Sequence, residues 1–113
     1  MIIKKKEAAS IKANEGSTIW DYPIPTEHTG VSSQTLNGRL PVKGWYKNTV
    51  CREIFYIIGG KATINIDGEV SQVEAGDVVV LEPNQKHYGE YENVSLITIT
   101  TPNWYEDQCK IEE

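Results

Sequence analysis

Hydrophobic and polar residues alternate with period two in several short stretches separated by turns, and no stretch repeats at the spacing of an amphipathic helix. The middle is clearest. Glu53-Ile54-Phe55-Tyr56-Ile57-Ile58 is a β-branched and aromatic run that stops at Gly59-Gly60. Ala62, Ile64 and Ile66 alternate with Thr63 and Asn65, and Asp67-Gly68 follows, a dipeptide suited to a two-residue hairpin. Glu69 to Val73 reads as the return strand. Ala75-Gly76-Asp77 turns the chain again. Val78-Val79-Val80-Leu81 is a continuous apolar strand, stopped by Pro83-Asn84. Val94 to Thr100 alternates once more, and Pro102 closes it.

The N-terminal third is less regular. Residues 1–16 are mixed and charged, with one short edge strand expected around Ile2-Ile3. Ser17 to Trp20 is a brief run ended by Asp21-Tyr22-Pro23, and Pro23 and Pro25 forbid regular pairing there. Val31 to Leu36 is strand-like, and Asn37-Gly38 predicts a turn. About eight short strands without substantial helix predict an all-β sandwich or barrel. The 113 residues form one domain, with an arm over 1–20 and a barrel over 21–113.

Charge narrows the partners. The formal net charge is -5, from 16 acidic and 11 basic residues, and the one basic run is Lys4-Lys5-Lys6. That argues against nucleic acid, whose readers carry a basic face. No segment reaches the length of a membrane span. Cys51 and Cys109 form no Cys-x-x-Cys pair, so neither a disulfide framework nor a zinc ribbon is expected. Met1-Ile2-Ile3 turns charged at once, unlike a signal peptide, so the expected setting is cytoplasmic.

From Glu53 onward the chain resembles the cupin superfamily of jelly-roll β-barrels. The first cupin motif ends in a glutamate, six residues and a glycine; Glu53, Ile54 to Gly59 and Gly60 match that ending. The second motif runs from a glycine through a proline to a histidine; Gly76, Pro83 and His87 match it. The resemblance covers roughly residues 40–100 and implies a cupin double-stranded β-helix. The His-x-His that opens the first motif is replaced by Lys47 and Thr49, or by Tyr46 and Asn48 at the longer spacing. Tyr91 stands where the second motif has asparagine.

Strand alternation puts Thr49, Cys51, Glu53, Phe55 and Ile57 on one face, which the resemblance makes the barrel interior. A carboxylate there needs a partner, and His87 is the obvious one. Glu53 and His87 are therefore expected within one bridging water or ion of each other. Three readings stand: a structural Glu–His hydrogen bond, a metal-free ligand pocket, or a single divalent metal on Glu53 and His87. A metal would need a third ligand. Cys51 has the right parity, while Asn48 serves only if a bulge shifts the phase. Trp45 and Tyr88 are candidates for the barrel mouth, where aromatic rings stack on a ligand; core packing or a subunit interface is the simpler explanation of both. His28 reads as a loop residue.

The ligand-binding set is thus Glu53, His87, Cys51, Tyr88 and Trp45, with no catalytic residue assigned. By analogy with small cupins the expected ligand is a small polar or carbohydrate-like metabolite. A metal-dependent isomerase, epimerase or dioxygenase with a reduced ligand set is the alternative, and a non-catalytic binding or regulatory module is a third. The resemblance also implies a homodimer, with the arm at its interface.

Overall fold

The Asp67-Gly68 turn forms as its sequence predicts. Asp67 (φ 52°) and Gly68 (φ 94°) both take positive φ, and Ile66 pairs with Glu69 across them. This is the geometry that matches the right-handed twist of a two-residue hairpin. The computed structural model describes residues 1–113. It has nine strands: β1 (Ala9–Asn14), β2 (Ser17–Asp21), β3 (Gly30–Leu40), β4 (Trp45–Asn48), β5 (Arg52–Ile66), β6 (Glu69–Glu74), β7 (Val78–Leu81), β8 (Lys86–Thr101) and β9 (Cys109–Glu112). They join in one antiparallel sheet in the order β1-β2-β3-β8-β4-β9, while β5 pairs with β6, β7 and β8. The long strands β5 and β8 curl the sheet into an all-β barrel. Its core holds Leu36, Phe55, Ile57, Ile64, Leu81, Val94 and Leu96.

Several expectations need correction. No strand forms at Ile2-Ile3; residues 5–7 make a 3₁₀ turn and the first strand starts at Ala9. The run at 2–3 has no partner strand, whereas β1 has β2. The boundary drawn at residue 20 falls inside β2, which pairs with β3 and extends the same sheet. Asn37-Gly38 does not end a strand. It makes a bulge within β3, where the register against β8 slips and Gly38 takes φ 86°. Gly59-Gly60 likewise bends β5 without ending it. Gly60 (φ 84°) lies against the Asn93 backbone, so any side chain there would strike that carbonyl.

The run Val78–Leu81 is apolar throughout yet not buried throughout. Val79 and Leu81 enter the core, while Val78 and Val80 are 56% and 46% exposed. The two short strands β4 and β9 lie outside the predicted set. No helix is long and apolar enough to cross a membrane.

Candidate functional site

The inner faces of β3, β4, β5 and β8 enclose a cavity of about 340 Å³. Ile11, Ala13 and Ile19 of the β1–β2 hairpin complete its wall, as do Trp104 and Glu106 from the segment before β9. Alternation along β5 turns Glu53 inward with Phe55, and Glu53 lies opposite Thr100 of β8. His87, near the start of β8, lies opposite Tyr46 of β4. The fold thereby brings together Nε2 of His87 and Oε1 of Glu53, 4.0 Å apart.

Asn48 donates to Glu53 Oε1 at 3.2 Å. Asn48 and Glu53 differ by an odd number of positions, yet both face inward. Thr49, Val50 and Cys51 leave the ladder between β4 and β5 and reset the phase. Around this acid lie Tyr46, Tyr91, Cys109 and a polar strip of Ser32, Gln34, Thr98 and Thr100. Two buried polar atoms on the wall have no hydrogen-bond partner: His87 Nδ1 and Thr100 Oγ1. In a cavity wall, such atoms are positioned to meet a ligand.

Burial sets the ionisation. It pushes the Glu53 carboxyl up to about 7, against the Asn48 hydrogen bond, which favours the charged form. The side chain still keeps 15% of its surface open to the cavity. Burial also pushes His87 down to about 4, while the Gln85 carbonyl and the Asp67 carboxylate favour the protonated ring. The Gln85 carbonyl does not complete a hydrogen bond of ordinary geometry to Nδ1. Cys109 is held up at about 11, first by burial and then by Glu53 and Cys51, despite Lys110. Its thiol is no nucleophile at neutral pH. Burial raises the Tyr46 and Tyr91 phenols as well. No lining residue is Lys or Arg, while Asp21, Glu53 and Glu106 are acids.

Three of the five expected ligand-binding residues lie off the cavity wall. Cys51 is fully buried, with its thiol toward the Pro102 carbonyl at 3.5 Å. Trp45 and Tyr88 sit outside the barrel because each is next in sequence to an inward residue, Tyr46 or His87. Their rings meet edge-on at 4.7 Å, with Lys86 over Trp45 and Arg39 over Tyr88. Tyr91 belongs to the site and was open to the same parity argument, since it follows His87 by an even step.

Residues 35–98 match the cupin domain family. The chain is a cupin. An uncharacterized protein of Methanocaldococcus jannaschii is 28% identical over 105 residues, which cover 88% of this cupin and 82% of the relative. Among solved structures, a Streptomyces PAC13 variant with uridine superposes with a TM-score of 0.88 at 12% identity, covering 99% of this chain and 90% of that one. Pac13 is described as a nucleoside dehydratase. An RmlC-like cupin from Shewanella frigidimarina superposes with a TM-score of 0.70 at 14% identity, covering 90% and 89%. At such identities these structures share the fold.

Cupins commonly hold a metal, and this donor set does not fit one. No group of three His, Cys, Asp or Glu side chains comes together to bind an ion. The side chain hydrogen-bonded to Glu53 is Asn48, and it presents an N–H, which cannot ligate a cation.

Proposed function

We propose that this cupin binds an uncharged polar metabolite, a nucleoside or free sugar, in its cavity and moves a proton on it with Glu53 and His87. One observation carries this reading: an acid and a base of reversed ionisation stand 4.0 Å apart on the wall of a cavity. Glu53 near pH 7 is poised to give or take a proton at neutral pH, and neutral His87 is an acceptor. The uridine held by the PAC13 variant supports the ligand class by analogy of fold. So does the strip Ser32, Gln34, Thr98 and Thr100, whose hydroxyls and amide suit sugar hydroxyls.

The absence of Lys and Arg from the wall separates uncharged ligands from phosphorylated or carboxylate ones. An anion there would lose its water and meet Asp21, Glu53 and Glu106 without a counter-charge. A non-catalytic binding module would use the same cavity; turnover separates the two.

Calorimetric titration with uridine, ribose and uridine monophosphate tests the reading. Uridine or ribose should saturate one site per chain, and the monophosphate should bind at least about tenfold more weakly. Glu53→Gln and His87→Gln should each weaken the neutral ligand about tenfold or more. Failure of every nucleoside and free sugar to bind, or full binding by both variants, would overturn it.

A further inference from the structure

The hydrogen bonds behind Glu53 run in one direction, and obligate donors dictate that direction. The backbone N–H groups of Val50 and Cys51 donate to Oε1 of Gln108, at 3.2 and 3.1 Å. A backbone N–H can only donate, so the Gln108 amide cannot be turned over. Its NH₂ must face the other way, and Nε2 donates to Oδ1 of Asn48 at 2.9 Å. The Trp104 indole, also a pure donor, meets that same Oδ1 at 3.3 Å. Two donors on Oδ1 leave the Asn48 NH₂ one orientation, toward Oε1 of Glu53. Gln108 and Asn48 are 2% and 4% exposed, so water offers neither amide an alternative. Turning either one would set N–H against N–H in the core and leave buried polar groups unpaired.

We infer that Gln108 and Trp104, which do not touch the carboxyl, are positioning residues that act through Asn48 to commit Oε1 of Glu53 as an acceptor and leave Oε2 to carry the acid proton. Oε2 accepts no protein hydrogen bond, and the side chain opens to the cavity. The inference deepens the proton-transfer reading and rests on it for the meaning of that proton. The relay itself stands on hydrogen-bond direction. It also gives the C-terminal segment a role in the site, because Trp104 and Gln108 both belong to the chain leading into β9.

Carbon-detected NMR titration of the Glu53 carboxyl in the full chain tests this without a ligand. The titratable groups around it are His87 and Tyr91 of β8, Tyr46 of β4, Cys51 before β5 and Cys109 of β9, and the acids Asp21 of β2 and Glu106 share its cavity wall. The phenols, the thiols and His87 are neutral at pH 7. Asn48→Leu should raise the Glu53 midpoint by about half a pH unit or more, because a donor to the charged form is lost. Trp104→Phe with Gln108→Met should raise it similarly, since Asn48 is then free to turn. A folded double variant with an unmoved midpoint would overturn the relay.

Wild-type protein keeps the test decisive if the double variant does not fold. The Asn48 side-chain NH₂ resonances should move with the Glu53 titration, and the Trp104 indole proton should exchange slowly with solvent throughout. A rapidly exchanging indole proton would overturn the inference. A Glu53 midpoint in the ordinary carboxylate range, with these differences preserved, would instead overturn the proton-transfer reading alone.

Discussion

His87 Nε2 lies 4.0 Å from Glu53 Oε1, and burial reverses the usual charges of the two groups. Near pH 6 a free glutamate is charged and a free histidine largely protonated. In this barrel the proton sits on the carboxyl instead. Folding therefore transfers a proton from the histidine to the glutamate with little net uptake.

The two pH effects should cancel in the wild type and appear separately in single variants. Glu53 binds its proton more tightly folded, at about 7 against 4.5, so its contribution favours folding at low pH and is lost as pH rises through that window. His87 binds more weakly folded, at about 4 against 6.5, so its contribution is present above 6.5 and lost as pH falls. Between pH 4.5 and 6.5 wild-type stability should be nearly flat. Glu53→Gln should gain stability with rising pH there, and His87→Gln should lose it, each by up to about 1.4 kcal/mol per pH unit. Urea midpoints measured across pH check this; parallel profiles for all three proteins would refute it.

Gly68→Val should cost about 1–3 kcal/mol, because a β-branched residue is strained at positive φ. A Cβ at Gly68 meets nothing within 4 Å, so the cost is purely one of backbone. Gly68→Asn should recover most of it, since Asn tolerates this region. An unchanged denaturation midpoint for the valine variant would contradict the turn geometry.

Gly89→Ala should disturb the cavity more than the fold. A Cβ at residue 89 would come within 2.5 Å of the Tyr91 ring, which covers that glycine and lines the cavity. The displaced ring should weaken ligand binding about tenfold or more, at roughly 1–3 kcal/mol of stability. Calorimetry and thermal melts together separate the effects; retained affinity would show that Tyr91 does not shape the binding volume.

The expected assembly is a homodimer with the arm at or near its interface, and the outer face is expected to contribute to it. The arm's Ile11 lines the cavity yet stays 45% exposed, and Tyr56, Val78, Val80 and Ile99 form a second exposed apolar strip across β7, β5 and β8. β7 is an unpaired edge, and a two-fold copy offers it an identical antiparallel partner. Light scattering should give a dimer mass, and Val80→Lys should give a monomer. A wild-type monomer at micromolar concentration would end the idea.

Legibility in the sequence tracked the range of the interactions. Period-two runs and the Asp67-Gly68 turn are local, and they set β6, β7 and the two ends of β5 almost to the residue. Asn37-Gly38 and Gly59-Gly60 carry the same turn signal yet form bulges, because strand β8 continues beside them. β4 and β9 are four-residue strands of mixed polarity that exist by long-range pairing, β4 with β8 and β9 with β4, and no local pattern announces them. The site divides the same way. Glu53 and His87 were legible through motif spacing. Trp104 and Gln108 meet Asn48 from 56 and 60 residues away, and a buried amide has no signature in sequence.

The pairing of β8 with both β3 and β5 has a consequence for folding order. Gly30 meets Thr100, and Arg52 meets Thr101, so the cavity walls join only when distant parts of the chain close on one another. The paired part of the β5–β6 hairpin, Lys61 to Glu74, can form early on its own turn, but it contains no part of the Glu53–Asn48–Gln108 chain of hydrogen bonds. Non-local closure of this kind places folding in the roughly millisecond-to-second range of all-β domains. Competence to bind should therefore appear together with the final cooperative step, and a bound ligand should slow unfolding of the whole barrel.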